Sequence, residues 1–356
     1  VIDLEDVRLA RIAQRRFGVA AAQVVKTLEV LEDSTREPNM IRALEERCLL
    51  SPEQTTELEK IRESGRPGGL KLISVLGKGA SSTVYKARDF QGHVLAVKLM
   101  KDATARDFRR RECEVRALDR LSHPGIPRLL SVGTVEGRPY HSMELAEGET
   151  LAARAKREGP LSPAVVVAVG LAVARALAHV HESGFIHCDV KPSNVVLGET
   201  GARLIDFGLA RPPGTHSRQA IGTPAYISPE LARGEAASVA TDVYSFGAML
   251  YLALTGRFPH AAESPDAMIR LAADPTVQAK PLLAHREDLP ARLIVLVESC
   301  LEKDPARRPA SMALVVRALE KVRLMTTNSN RRGFRAATSP RALVRRRRRF
   351  LSRSAA

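Results

Sequence analysis

Residues 185–194 read FIHCDVKPSN, and a second stretch, LIDFGLA, occupies 204–210. The first sets an acid (Asp189), an ammonium (Lys191) and a carboxamide (Asn194) close together, between an apolar entry and the apolar run VVL at 195–197. The second places Asp206 directly after an apolar pair, Leu204 and Ile205. Carboxylate and carboxamide oxygens are hard donors of the kind Mg²⁺ prefers, and Mg²⁺ takes few protein groups when phosphate and water complete its shell. Asp206 thus follows what reads as an apolar strand.

Upstream, LAVKLM (95–100) embeds Lys98 in an apolar strand. An ammonium buried without an anion is costly, so a carboxylate is expected beside it. Glu114, in the helical stretch that follows, could supply it. Further upstream, LGKGASSTVYKA (76–87) places Gly77 and Gly79 between two β-type runs. Glycines let backbone N–H groups approach phosphate oxygens closely, although a glycine pair alone marks most hairpins. A lysine, a glutamate, two aspartates and an asparagine in this order point to a nucleoside-triphosphate site.

The remaining organisation follows from texture. Residues 1–64 mix apolar and charged positions at helical spacing. Ser51, Pro52 and Gln54 there form a helix-start signal, a capping residue, an N1 proline and the partner of a capping box. SGRPGG (64–69) is a linker. Short strands follow from Leu70, and long helices dominate after residue 150, over 162–182, 238–255, 291–301 and 311–325. Strands first and helices later predict an α+β chain with a small β-rich lobe and a larger helical one. Helical periodicity lapses after 326, and the segment 327–356, with RRRRR at 345–349, is expected to be a disordered Arg-rich tail.

With these motifs in place, residues 70–322 resemble a eukaryotic-type protein serine/threonine kinase domain of the kind widespread in bacteria. The resemblance implies a two-lobed kinase-like fold, with ATP and Mg²⁺ as cofactors and proteins as substrates. It implies that Asp189 is the catalytic base, with Lys191 beside the transferred phosphate, and that Lys98 holds the other phosphates while paired with Glu114. Asn194 and Asp206 would bind Mg²⁺. The nucleotide would be covered by Leu76, Gly77, Lys78, Gly79, Ala80, Ser81, Ser82 and Val84. Ala96, Met143 as gatekeeper, Glu144 and Ala146 of the hinge, and Val196 would line the adenine site. Thr223 would bond Asp189 and Lys191, and Glu230 of SPE (228–230) would pair with Arg308. Asp242 would brace the loop that carries Asp189. Lys191, two positions after the acid, implies a Ser or Thr acceptor. The spacing of Glu114 to His123 is the family's usual one, which favours Glu114 over Glu112.

Two positions depart from the family pattern. Ser82 stands where a third glycine is usual, and Cys188 stands where the residue before the catalytic acid is usually arginine. That arginine commonly receives a phosphate from the activation segment, a part no thiol can play. Cys188 reads either as a small buried filler or, with a lowered pKa, as a redox-sensitive thiol.

Bulk properties bound the rest. The net charge of +15 is concentrated at the end, where residues 331–356 hold ten arginines and no acid. Such a run would attach weakly and without specificity to nucleic acid or anionic lipid. Cys48, Cys113, Cys188 and Cys300 are far apart, with no Cys-x-x-Cys pair, so neither a zinc site nor a disulfide framework is indicated. No signal peptide is legible, and the apolar run AVVVAVGLAVARALAHVH from Ala164 is broken by Arg175, so it is expected as a buried helix and not a transmembrane segment. A cytoplasmic location follows as an expectation. The N-terminal helices read as a protein-interaction or regulatory module. The leading expectation is therefore an active, ATP-dependent serine/threonine kinase in bacterial signal transduction, with autophosphorylation. The alternative is a pseudokinase scaffold acting through its N-terminal helices and basic tail.

Overall fold

The computed structural model describes residues 4–32, 39–64, 70–79, 81–89, 91–101, 105–135, 138–216 and 222–337. The chain forms two compact units, Val1–Ser122 with Pro127–Ala146, and His123–Ile126 with Glu147–Ala356.

The first unit begins with four helices, α1 (Leu4–Phe17), α2 (Ala21–Glu32), α3 (Met40–Glu46) and α4 (Pro52–Ser64). Apolar positions at helical spacing bring Leu9, Ala13, Met40, Ile41, Leu44 and Leu58 into one buried cluster, so this stretch has a core of its own. The start of α4 is a reciprocal capping box. Ser51 Oγ accepts from the Gln54 amide at 3.2 Å, and Gln54 Oε1 accepts from the Ser51 amide at 2.9 Å.

Five antiparallel strands follow: β1 (Lys71–Lys78), β2 (Ser82–Arg88), β3 (Val94–Met100), β4 (Leu129–Val135) and β5 (Arg138–Glu144), in the order β1-β2-β3-β5-β4. Helix α5 (Ala105–Arg120) runs between β3 and β4 in the chain. Strand β3 lies mid-sheet and is buried from Leu95 to Met100, which explains its continuous apolar character and sets Lys98 in an interior position.

The second unit holds a three-stranded sheet, β6 (Glu149–Thr150), β7 (Val195–Gly198) and β8 (Gly201–Leu204), beside the helices. These are α6 (Leu151–Glu158), α7 (Pro163–Glu182), α8 (Pro229–Ala232), α9 (Val239–Thr255), α10 (Pro265–Ala273), α11 (Ala291–Cys300) and α12 (Met312–Ala337). The two-lobed kinase-like class read from the sequence is the class observed. Helices α6 and α10, eight and nine residues long, are not among the helices expected from the sequence. Helix α12 continues past residue 325, where periodicity lapses, and the five arginines 345–349 lie outside the described residues.

Helix α7 is, among the described residues, the one helix long and apolar enough to cross a membrane by length and composition. It is instead a core helix. Val173, Leu177 and Val180 are fully buried, and a Cβ added at Gly170 would stand 3.4 Å from both Leu250 of α9 and Leu319 of α12. Its start is fixed by Ser162, whose side chain caps the Val165 amide, followed by Pro163 at the first helical position.

Candidate active site

In the first unit, Lys98 is paired in register with Val84 of β2 and His141 of β5. Its Nζ donates to Glu114 Oε1 at 2.6 Å, and the two residues are only 8% and 2% exposed. Two buried opposite charges at this distance satisfy the requirement that a strand-centre ammonium creates. Glu112 is two residues away, about 200° around the helix. It is exposed and pairs with Arg116 of its own helix at 2.6 Å. The His141 ring, fully buried, brings Nε2 to 3.7 Å from the same Glu114 oxygen. Arg111, one turn before Val115, ties α5 to the sheet by donating to the Tyr140 carbonyl at 2.8 Å.

The glycine-rich turn between β1 and β2 is closed by the Gly79 amide donating to the Ser82 carbonyl at 2.8 Å. Lys101 reinforces it, its Nζ donating to the Gly79 carbonyl at 2.7 Å and its amide to the Ser81 carbonyl at 2.9 Å. Gly77 and Gly79 both have negative φ, and an added Cβ would meet nothing within 4 Å at Gly77 and only ordinary contact at Gly79. The chain's own packing therefore does not demand glycine at either place. Ala80 lies outside the described residues. Leu76 and Lys78 end β1, Ser82 and Val84 begin β2, and Ala96 pairs with Met143 across β3 and β5. Glu144 closes β5 with its amide donating to the Arg128 carbonyl at 2.9 Å, and Ala146 follows it.

In the second unit, the loop after α7 is held from below by Asp242 of α9. The Asp242 carboxylate, fully buried, accepts from the His187 and Cys188 amides, each at 2.8 Å, and bonds His181 Nε2 at 2.8 Å. Burial would raise this carboxyl, but the hydrogen bonds and charge of His181 and His187 outweigh it and hold the pKa below the ordinary value. The His187 ring also has its pKa lowered, in its case by burial.

Asp189 is the hub of the loop. Its Oδ2 accepts from Lys191 Nζ at 2.6 Å and from Asn194 Nδ2 at 3.1 Å, and its Oδ1 accepts from Thr223 Oγ1 at 2.8 Å. Lys191 Nζ also donates to Thr223 Oγ1 at 2.8 Å. Thus Asp189, Lys191, Asn194 and Thr223, read from separate motifs, form one hydrogen-bonded group. Asn194 spends its amide nitrogen on the Asp189 carbonyl and carboxylate, which turns its side-chain oxygen away from them. The Asn194 carbonyl accepts from the Ile205 amide at 2.8 Å, so the backbone ladder leads directly to Asp206. Asp206 is exposed and has φ of 64°, a left-handed conformation in which Asp is among the enriched residue types. Asn194 and Asp206 thus offer two hard oxygen donors, a set suited to a Mg²⁺ ion that completes its shell with phosphate and water. Among the described residues there is no cluster of three or more His, Cys, Asp or Glu that could hold a metal unaided. Val196 is buried in β7.

Cys188 is buried at φ of 63°. Burial, helped by the Asp242 charge, pushes the thiol pKa far up against a smaller opposing effect of Arg211. It is a packed thiol, and the low pKa that a redox-sensitive reading requires is absent. Further along, Glu230 and Arg308 form a buried two-pronged pair at 2.8 and 2.9 Å, with Thr241 Oγ1 donating to Glu230 at 3.0 Å. Sequence reading missed His141, His181 and His187. Only His187 had a signal, its place two residues before Asp189.

Residues 70–318 match the protein kinase domain family. The serine/threonine-protein kinase PknB of Mycobacterium tuberculosis is 36% identical over 258 residues, 67% of this chain and 40% of that protein. A probable serine/threonine-protein kinase of Clostridium perfringens is 34% identical over 263 residues, 71% of this chain and 38% of that protein. The DNA damage-responsive serine/threonine-protein kinase RqkA of Deinococcus radiodurans is 35% identical over 289 residues, 76% of this chain and 42% of that protein. The chain spans about two fifths of the length of these relatives.

Proposed function

This chain belongs to the protein kinase family, and we propose that it transfers the γ-phosphate of ATP to Ser or Thr hydroxyls of protein substrates, itself included. The observation that carries this reading is the Asp189 hub, a carboxylate whose orientation is set from three directions by Lys191, Asn194 and Thr223. A base held this way needs no reorganisation to accept the proton of an incoming hydroxyl. Lys191, bridging Asp189 and Thr223, supplies positive charge where the transferred phosphoryl group loses its leaving oxygen. The Lys98 ammonium, turned by Glu114, would hold the phosphates that stay behind. Glycine at 77 and 79 leaves backbone N–H groups clear for the same oxygens, which accounts for glycines the chain itself does not require. Asn194 and Asp206 would hold Mg²⁺, which when bound offsets phosphate charge.

In the first unit, Leu76, Val84, Ala96 and Met143 would provide apolar surface for adenine, with Glu144 and Ala146 supplying backbone hydrogen bonds. A cytoplasmic site of action and a partner bound through the N-terminal helices agree with this reading. The expectation of a weak, salt-sensitive affinity for nucleic acid or anionic lipid rests on the arginines outside the described residues. A scaffold without catalysis is disfavoured, since Lys98, Asp189, Asn194 and Asp206 are all present in the sequence.

The test is Mg²⁺-dependent autophosphorylation of the purified chain on Ser or Thr. Asp206→Asn and Lys98→Met are each expected to abolish it. Near-wild-type transfer by either variant would overturn the assignment.

A further inference from the structure

Helix α5 carries Glu114, and its described side chains show what holds it. From Arg111 to Arg120 its buried side chains are Glu114, Val115, Ala117 and Leu118, and the remaining positions are charged or half-exposed. One anchor comes from the N-terminal helices. Arg11 of α1 forms a two-pronged ion pair with Asp119 in the last turn of α5, its Nη2 donating to Oδ2 at 2.8 Å and its Nη1 to Oδ1. Asp119 lies one turn beyond Val115, so the two share a face of α5.

Below this pair lies a cleft of about 700 Å³, bounded by Ile12 of α1 and by Val115, Leu118 and Leu121 at the end of α5. Helix α1 also rests on β4, and Arg16 ties it to Glu57 of α4. The end of α5 is thus gripped by a helical layer with its own core, while the neighbouring side of the same helix presents Glu114 to Lys98. Two-pronged arginine–carboxylate geometry fixes orientation as well as distance, unlike a single point contact. Val115 and Leu118 are buried beside the cleft, and the ion pair adds a directional tie to this packing.

We propose that the N-terminal helices are an activating strut, in which Arg11, acting on Asp119, sets α5 so that Glu114 meets Lys98. Arg11 and Asp119 are positioning residues, and touch neither nucleotide nor substrate in this scheme. The proposal rests on the kinase reading above, and its test separates the two.

The full chain is compared with Arg11→Glu, Asp119→Arg and the double charge swap, using a soluble peptide and ATP. Each single variant is expected to raise KM for ATP about fivefold with little change in KM for peptide, the effect one partly exposed ion pair sustains. The double swap should return KM for ATP to within about twofold of the parent. Hydrogen exchange over residues 111–120 should quicken in the singles and slow again in the double swap. Single variants with parental KM and parental exchange would sink the proposal, and so would losses that the swap does not repair. If the parent chain itself transfers no phosphate, the kinase reading fails instead. The exchange measurements then still decide whether α1 sets α5, and Arg11→Lys, which keeps the charge, provides a milder second variant.

Discussion

Cys188 adopts a left-handed backbone conformation, is buried, and has its amide bonded to Asp242 beneath the loop. An arginine there would bring a charge needing neutralisation, and a phosphate in the activation segment is one means of supplying it. A thiol held neutral brings no such demand, because the loop is fixed by backbone bonds and by the Asp189 hub. Of the phosphosites that the segment offers, Thr215 is described and donates its hydroxyl to the Pro212 carbonyl at 2.7 Å, while Ser217 lies outside the described residues. Replacing both with Ala is expected to lower phosphorylation of an exogenous peptide only a few-fold, since one charge-assisted contact to Arg211 contributes about 1 kcal/mol. A thousandfold loss would show that another basic group has taken over the arginine's part. Asp189, Lys191, Asn194 and Asp206 were legible because their roles are written in short local motifs. His141 and His181 were not. A lone histidine carries no pattern, and theirs arises from the β3–β5 register and from a helix more than fifty residues downstream in the chain.

Among the elements, α9 has an unusual burden, because its Asp242 accepts from two consecutive amides of the catalytic loop. Asp242→Ala strands both amides and unpairs His181 in the interior. Each orphaned donor costs roughly 1–3 kcal/mol, so a loss of about 3 kcal/mol or more is expected in denaturant unfolding. Asp242→Asn keeps one oxygen acceptor and should lose distinctly less. Equal stability of the Ala variant and the parent would mean that the loop is held by other contacts. Strands β1, β2 and β3 were legible through their β-type runs, and the longest helices through capping and periodicity. The shorter α6 and α10 escaped because eight or nine residues hold too few turns to establish a period.

Taken as a whole, the molecule places a separate buried cluster in the N-terminal helices, and the sequence already showed that stretch as helical without revealing what it covers. Tertiary placement of a polar-faced helix depends on partner surfaces that local spacing does not encode. Stability across pH can be read at this scale from His260, which is buried and whose Nε2 has no hydrogen-bond partner among the described residues. Burial, with Lys303 nearby, lowers its pKa from 6.5 to about 4. The unfolded chain therefore binds this proton more tightly, and stability is full above about pH 6.5 and falls as pH drops toward about 4. The contribution is on the order of 3 kcal/mol. His260→Gln should flatten the melting temperature across that window relative to the parent, and an unchanged slope would refute the assignment. The long-range bonds of the second unit also bear on how the chain is made. The catalytic loop waits for Asp242, some 54 residues later, and Glu230 waits for Arg308, 78 residues later. A ribosome adds roughly 5–20 residues per second, so on the order of ten seconds separate the synthesis of Asp189 from that of Arg308. A nascent chain is thus without a finished site until the stretch that carries Arg308 has emerged.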